Sequence, residues 1–358
     1  MQEPRLIWDG GTAYDMFISL LALHAPSKHG LRAAWAKGVR ARLPAAEREI
    51  LEQAKTLLSW PLHWIHALPG PRDGATVLQA LEQIPPAERL PTLALMPEDV
   101  PSDWTKILQG VAARGAWDEK DVGALQALKC EKAAPKREQL VNILKWWSRP
   151  QEFGERYLEA LRVYQEVFFA EEEARILPAL EKAMAKAQEL AERLTLVDLL
   201  EELSQGLRLA TPPQLPELVL SPSFWTTPLI IYTPVSAERE LFLFGARPAD
   251  VSLVPGDTVP DTLVRALKAL GEPTRLRILR YLAVEPLTPT QLARRLRLRA
   301  PTVVHHLHAL RMARLVHLTL EKGDKRRYAA RPEAVKATCA ALEAFLAGGK
   351  TPDSGSAH

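Results

Sequence analysis

The stretch from Thr288 to Arg331, TPTQLARRLRLRAPTVVHHLHALRMARLVHLTLEKGDKRRYAAR, constrains the fold more than any other part of this 358-residue chain. Thr288 and Gln291 form a capping box, and Pro289 stands at the first helical position, where its missing N–H costs nothing. Leu292, Ala293 and Leu296 then supply one apolar face at helical spacing. The turn runs through Arg297-Leu298-Arg299, with Leu298 as its buried plug. A second helix is predicted from about Ala300, with Pro301 tolerated in its first turn and Val303, Leu307 and Leu310 as the inward stripe. The same arithmetic puts Pro301, Val304, His305 and His308 together on the outward stripe. Leu315 to Leu320 reads as a strand, Glu321 to Lys325 as a turn in which Gly323 can take a positive φ, and Arg326 to Ala330 as the returning strand. Two short helices followed by a basic hairpin predict a winged helix-turn-helix, the arrangement that lays its second helix in the DNA major groove.

Charge supports that partner. The whole chain carries only +3. Residues 260–331, however, hold sixteen Lys and Arg against five Asp and Glu, while residues 1–259 are net acidic. Such an excess repels itself unless a polyanion is present, and neutralising phosphates releases counterions that drive binding. Nothing in the segment resembles an amphipathic membrane-insertion helix, so double-stranded DNA is the expected partner.

LVRALKALGEPTRLRILRYLA (263–283) and PTVVHHLHALRMARLV (301–316) resemble the signature runs of the ArsR-type winged-helix transcriptional regulators; the second is similar to their recognition helix, typically a "STVSHHLKLLREAGLV"-like run. The resemblance covers roughly Pro260 to Leu346. It implies that Asp261–Leu270 and Pro332–Leu346 are flanking helices that pair two subunits, the latter with Val335, Cys339, Leu342 and Phe345 on one face. Two departures matter. Arg299 stands where the family usually has a serine cap, and Val304 where a hydroxyl residue is common; a valine can touch a thymine methyl but cannot hydrogen-bond a base. The family's metal sensing is not supported, because Pro286–Leu296 has no cysteine, and the last helix has no D-x-H, H-x-x-H or H-x-x-E. No metal or other cofactor is expected.

Residues 1–212 read as mostly helical, in segments Gly11–Leu23, Leu31–Trp35, Ala45–Leu58, Gly74–Gln83, Trp104–Gly115, Lys120–Leu128 and Lys136–Trp146. Pro150 to Ala170 follows, with Phe153, Tyr157, Leu161, Tyr164 and Phe168 on one face. Glu171 to Leu203 continues it, with a break expected at Pro178. Residues 213–258 form a short strand region and linker: 218–220, 229–232 and 240–244 read as strands, and Ser221-Pro222-Ser223 as a turn. Residues 259–347 are the winged-helix domain, and 348–358 a disordered tail. The fold class is therefore mainly α with small β elements.

Trp60, Trp64, Trp146 and Trp147 are either linings of an apolar ligand cavity or core, with core favoured. His63 and His66 have a spacing a metal could use, but two ligands make no site, and packed or hydrogen-bonded histidines are the preferred reading. No G-x-S-x-G, G-x-G-x-x-G or H-E-x-x-H is present, so no catalytic residues are assigned and the chain is expected not to be an enzyme. Two widely spaced cysteines and no signal segment make a cytoplasmic location the default.

The sequence thus predicts a cytoplasmic DNA-binding regulator, expected to repress and to act as a homodimer with no membrane partner, whose amino-terminal region senses a small-molecule effector or serves dimerisation. Thr302, Val304, His305 and His308 are expected at base edges, Arg294, Arg295 and Arg299 near phosphates, and Lys325, Arg326 and Arg327 along the adjacent backbone or minor groove. The alternatives are a winged helix used as a protein-interaction module and an enzyme fused to a DNA reader.

Overall fold

The computed structural model describes residues 4–29, 31–58, 60–96, 102–128, 135–209, 215–227, 229–248, 251–254, 259–321 and 325–347. The chain divides into two units, Met1–Met184 with Gln214–Thr226 and Ile231–Ala246, and Ala185–Pro213 with Thr227–Ile230 and Arg247–His358. The described strands are β1 (Arg5–Trp8), β2 (Leu207–Leu209), β3 (Glu217–Ser223), β4 (Ile231–Pro234), β5 (Arg239–Gly245), β6 (Val316–Glu321) and β7 (Lys325–Ala330).

The first unit is helical around one sheet of order β1-β3-β5-β4, in which β1, β3 and β5 run parallel and β4 is antiparallel to β5. Leu218, Val219 and Leu220 of β3 and Leu241, Phe242 and Leu243 of β5 are fully buried, the unbroken apolar run that strands covered on both faces require. The expected strands 218–220 and 240–244 lie within β3 and β5, whereas of 229–232 only Ile231 and Tyr232 fall in β4, which runs on to Pro234. The expected Ser221-Pro222-Ser223 turn is instead the end of β3, paired with Leu243 to Gly245 of β5. Proline is tolerated there because β1 has already ended at Trp8 opposite Leu220, so Pro222 has a ladder neighbour on one side only.

The helices Ala45–Leu57, Gly74–Gln83, Asp103–Arg114, Glu119–Ala127 and Arg137–Trp147 follow the periodicity of the sequence to within a residue or so. The helix Pro150–Tyr164 continues through one π turn, Gln165–Phe169, into Ala170–Ala191. The expected break at Pro178 does not occur: the helix runs on through it, with Ile176 and Leu180 buried on either side. Packing here outweighs the lost hydrogen bond. The chain turns instead at Thr195, whose side chain accepts from the Asp198 N–H and caps the helix Leu196–Leu203. Phe153, Tyr157, Leu161, Tyr164 and Phe168 are all buried, and Trp146 packs edge-on against Phe153 at 5.6 Å. Trp146 and Trp147 are therefore core. Against this helix lies Pro86–Ala94, so close that a Cβ on Gly154 would fall 2.0 Å from the Pro86 carbonyl oxygen.

A buried polar knot secures the end of β3. Asp15, in the helix Ala13–His24, accepts from the Ser223 hydroxyl (2.6 Å), the Trp225 N–H (2.8 Å) and the Phe224 N–H (3.1 Å). Burial pushes its carboxyl up to about 6, against the pull of those three donors. The Trp225 indole donates to Glu172 at 2.9 Å, and Glu172 is paired with Arg175.

The second unit holds the helices Leu196–Leu203, Asp261–Leu270, Pro273–Leu282, Pro289–Leu296, Ala300–Met312 and Pro332–Ala347 and a sheet of order β2-β6-β7. Here the structure departs from a boundary at 212. Residues 185–213 group with the winged helix, because β2 pairs in parallel with β6, Leu207 opposite Leu318. Strand pairing across about a hundred residues leaves no local signal. The expected tail after Ala347 lies outside the described residues.

Candidate nucleic-acid interface

The first helix of the motif starts as its residues dictate. Thr288 accepts from the Gln291 N–H, and Gln291 returns the bond by accepting from the Thr288 N–H at 2.8 Å. The helix ends at Arg297 in the left-handed conformation, φ 56°, with the Leu298 N–H bonded back to the Ala293 carbonyl. Leu298 is partly buried against the core, as expected of a plug. The second helix, Ala300–Met312, then buries Val303, Leu307 and Leu310 completely, against Ile278, Leu292 and Leu315. Tyr328 of β7 closes this core, and a backbone pair between Leu287 and Tyr328 ties the hairpin to the start of the motif.

This packing leaves a solvent-facing stripe of Pro301, Thr302, Val304, His305 and His308, all exposed, with Val304 at 49 %. Arg299 occupies the N-cap position, with extended backbone and no side-chain cap, so its exposed guanidinium stands beside the helix's amino end. A helix N-terminus carries positive partial charge, and an arginine there adds to an anion-attracting surface. Arg294 is exposed. Arg295 is exposed but engaged, with Glu285 at 2.7 Å and over the Tyr281 ring. His306, between the two exposed histidines, turns inward to lie 3.4 Å from Glu272 and is a packing residue.

Arg326 and Arg327 follow each other in β7, opposite Leu320 and Thr319, and so leave opposite faces of the wing. Arg326 is exposed and Arg327 half-buried. The expected turn residues Lys322 and Gly323 lie outside the described residues, as does the side chain of Lys325 at the start of β7. The structure therefore brings Val304, His305 and His308 onto one helix face, leaves Thr302 exposed at its margin and Arg299 exposed at the helix's amino end, and puts Arg326 and Arg327 on the hairpin.

The charge excess of this segment is not all on that surface. Arg265, Arg311 and Arg314 have guanidinium groups that burial drives below their ordinary range. Arg311 and Arg331 donate to backbone carbonyls of Ser204 and Gln205. A count of basic residues cannot distinguish such side chains from phosphate ligands. Gln205, at φ 57° just before Gly206, accepts both arginines; the signal in the sequence was the turn Ser204-Gln205-Gly206 before the alternating Leu207-Arg208-Leu209.

In the first unit, His63 approaches the Thr92 carbonyl at 3.2 Å, and His66 approaches the Asp9 carboxylate at 3.3 Å. Asp9 also takes the Tyr14 hydroxyl and Arg72; burial raises its carboxyl, but these partners outweigh burial and hold it below the usual range. Among the described residues no helix is long and apolar enough to cross a membrane. A comparison with curated proteins finds no match. Residues 272–317 match the model of a family described as bacterial regulatory protein, arsR family, and the span holds both motif helices and the first two residues of β6. With the capped first helix, the exposed face of the second and the hairpin in place, this end of the chain is an ArsR-type winged helix-turn-helix, the DNA-binding part of a transcriptional regulator.

Proposed function

We propose that the chain is a cytoplasmic, sequence-specific transcriptional repressor that binds DNA as a homodimer, responds to a small-molecule effector through its first unit, and catalyses no reaction. The observation that carries this reading is the exposed stripe Thr302, Val304, His305 and His308, set on a rigid apolar core with Arg299 at its amino end. Thr302 and the two imidazoles can hydrogen-bond base edges, while Val304 offers only a methyl contact. Affinity therefore leans on phosphates, and direct readout is modest. One such helix reads a half-site, so a two-fold operator needs two copies. The exposed Leu267, Phe345 and Leu346 on the helices Asp261–Leu270 and Pro332–Ala347 support pairing through those helices.

Effector binding is supported by a cleft of about 830 Å³ in the first unit, lined among others by His63, Trp64, His66, Arg72, Met96 and Arg239. That is the size and mixture of apolar walls and few polar groups that small-molecule sites have.

The test is mobility of the full chain with duplexes from its own upstream region, titrated with salt. Arg326→Ala with Arg327→Ala should weaken binding to all duplexes alike and flatten the log K against log salt slope by up to about two units. An unchanged slope removes the wing from the interface. Equal affinity for every duplex removes sequence specificity.

A further inference from the structure

The large cleft of the first unit is one-sided in charge. Among the described residues its walls carry two arginines, Arg72 and Arg239, and no carboxylate, beside the apolar Trp64, Leu95, Met96 and Val235. The acids that offset those arginines stand behind the wall. Asp9, 5 % exposed, takes Nη1 of Arg72 at 2.6 Å. Glu217 lies between Arg5 and Arg239 and takes Nε of the latter. Three arginines therefore share two carboxylates, which do not cancel the guanidinium charge.

The two lining arginines differ in what they can still donate. Arg72 is committed, with Nη1 on Asp9, Nη2 on the His66 carbonyl at 2.8 Å, and its own carbonyl taking the Ala13 N–H at 3.0 Å. Arg239 is held by its backbone and one nitrogen. Its carbonyl accepts from the N–H groups of Val235 (2.9 Å) and Ser236 (3.3 Å) at the turn between β4 and β5, and its Nε serves Glu217. Nη1 and Nη2 of Arg239 have no partner among the described residues, and the side chain is 42 % exposed in the cleft wall. The outer edge of this fork is thus accessible as well as unused. The lining histidines are already engaged, His63 with the Thr92 carbonyl and His66 with Asp9.

A guanidinium edge matches the two oxygens of a carboxylate, and apolar walls beside it shelter a hydrocarbon body. A cationic ligand would meet guanidinium and no carboxylate there. A neutral one would cover the Arg239 nitrogens without pairing their charge, which costs binding energy. We propose that the cleft takes a small organic carboxylate with an apolar body, the carboxylate on the Nη edge of Arg239 and the body against Trp64, Leu95 and Met96. This rests on the reading of the cleft as the effector site and adds the chemical class of its ligand.

Isothermal titration of the full chain with naphthoate, naphthamide and naphthylmethylamine compares one ring system carrying negative, zero and positive charge. Naphthoate should bind saturably and about tenfold or more tighter than the amide, with the amine weaker still. Arg239→Met should bring naphthoate down to the amide's affinity and leave the amide unmoved. Glu217 keeps Arg5 in that variant, so the sheet loses no buried pair. If Arg239→Met does not fold, Arg239→Gln serves with the same expectation. Equal affinity for naphthoate and naphthamide overturns the anion class, as does the absence of saturable naphthoate binding or an affinity that survives loss of the guanidinium. Duplex anisotropy with and without the probes separates this from the underlying reading. Naphthoate that binds through Arg239 yet leaves DNA affinity unchanged removes the effector role and keeps the anion site. An amide that matches naphthoate and shifts DNA affinity keeps the effector role and removes the anion site.

Discussion

Val304→Asp is expected to abolish specific DNA binding and to leave the fold unchanged. Val304 lies on the outward face of the helix Ala300–Met312, 49 % exposed, one residue after the fully buried Val303. A carboxylate at that point would contribute nothing to the core and, with this helix in the groove as proposed, would face the phosphates on either side. Repulsion there adds to the desolvation of an ionised group that finds no donor, and affinity should fall by about a thousandfold, or about 4 kcal/mol. Val304→Ala, which removes only methyl contact, should cost about tenfold at most. Anisotropy titration of a bound duplex gives both numbers, and thermal unfolding should place the Asp variant within about 0.5 kcal/mol of the parent. Tight binding by Val304→Asp would move recognition to another face.

Gly154→Ala should damage the first unit severely for a single added methyl. The added Cβ would fall 2.0 Å from the Pro86 carbonyl oxygen, which belongs to backbone and cannot rotate away. The helices Pro150–Tyr164 and Pro86–Ala94 must then separate, opening the layer that holds Phe153 and Leu90 fully buried. Separation also disturbs Arg89, whose buried guanidinium donates to the carbonyls of Leu81, Ile84 and Gly154. A loss of about 3 kcal/mol is expected in denaturant titration. Gly123→Ala is the matched control: it also lies within a helix, Glu119–Ala127, but meets nothing within 4 Å. There the helix propensity of alanine should stabilise by up to about 1 kcal/mol. Similar effects at both positions would mean the close helix crossing is absent.

Much of the DNA-reading module was legible in the sequence because its information is local. A capping box, an apolar stripe at three- and four-residue steps and an alternating hairpin each specify themselves within a few residues, and Thr288, Val303, Leu307 and Leu310 do what their spacing implies. The parts that were not legible depend on distant partners. Arg5 to Trp8 becomes a strand because Glu217 to Leu220 lies beside it, and Leu207 to Leu209 because Leu318 to Leu320 does. Pro178 looks like a helix stop until Ile176 and Leu180 are seen to be buried. Charge misleads in the same way: Arg311 and Arg314 read as phosphate ligands by count, yet one is spent on backbone carbonyls and the other faces a closed corner.

The parallel pairing of β2 with β6 bears on how this module could be moved between proteins. A fragment cut at the start of the winged-helix pattern, near residue 259, would contain both motif helices and the hairpin. It would nevertheless strip β6 of a neighbour, exposing a row of unpaired backbone groups along Leu318 to Leu320 that invites another chain to add itself. Arg311 and Arg331 would lose the carbonyls of Ser204 and Gln205 in the same cut. Such a fragment should self-associate in sedimentation runs, whereas one that also supplies residues 185–213 should stay dispersed. The transplantable piece is thus discontinuous in sequence, and a graft, a truncation or a natural recombination event that respects only the local pattern inherits a sticky edge.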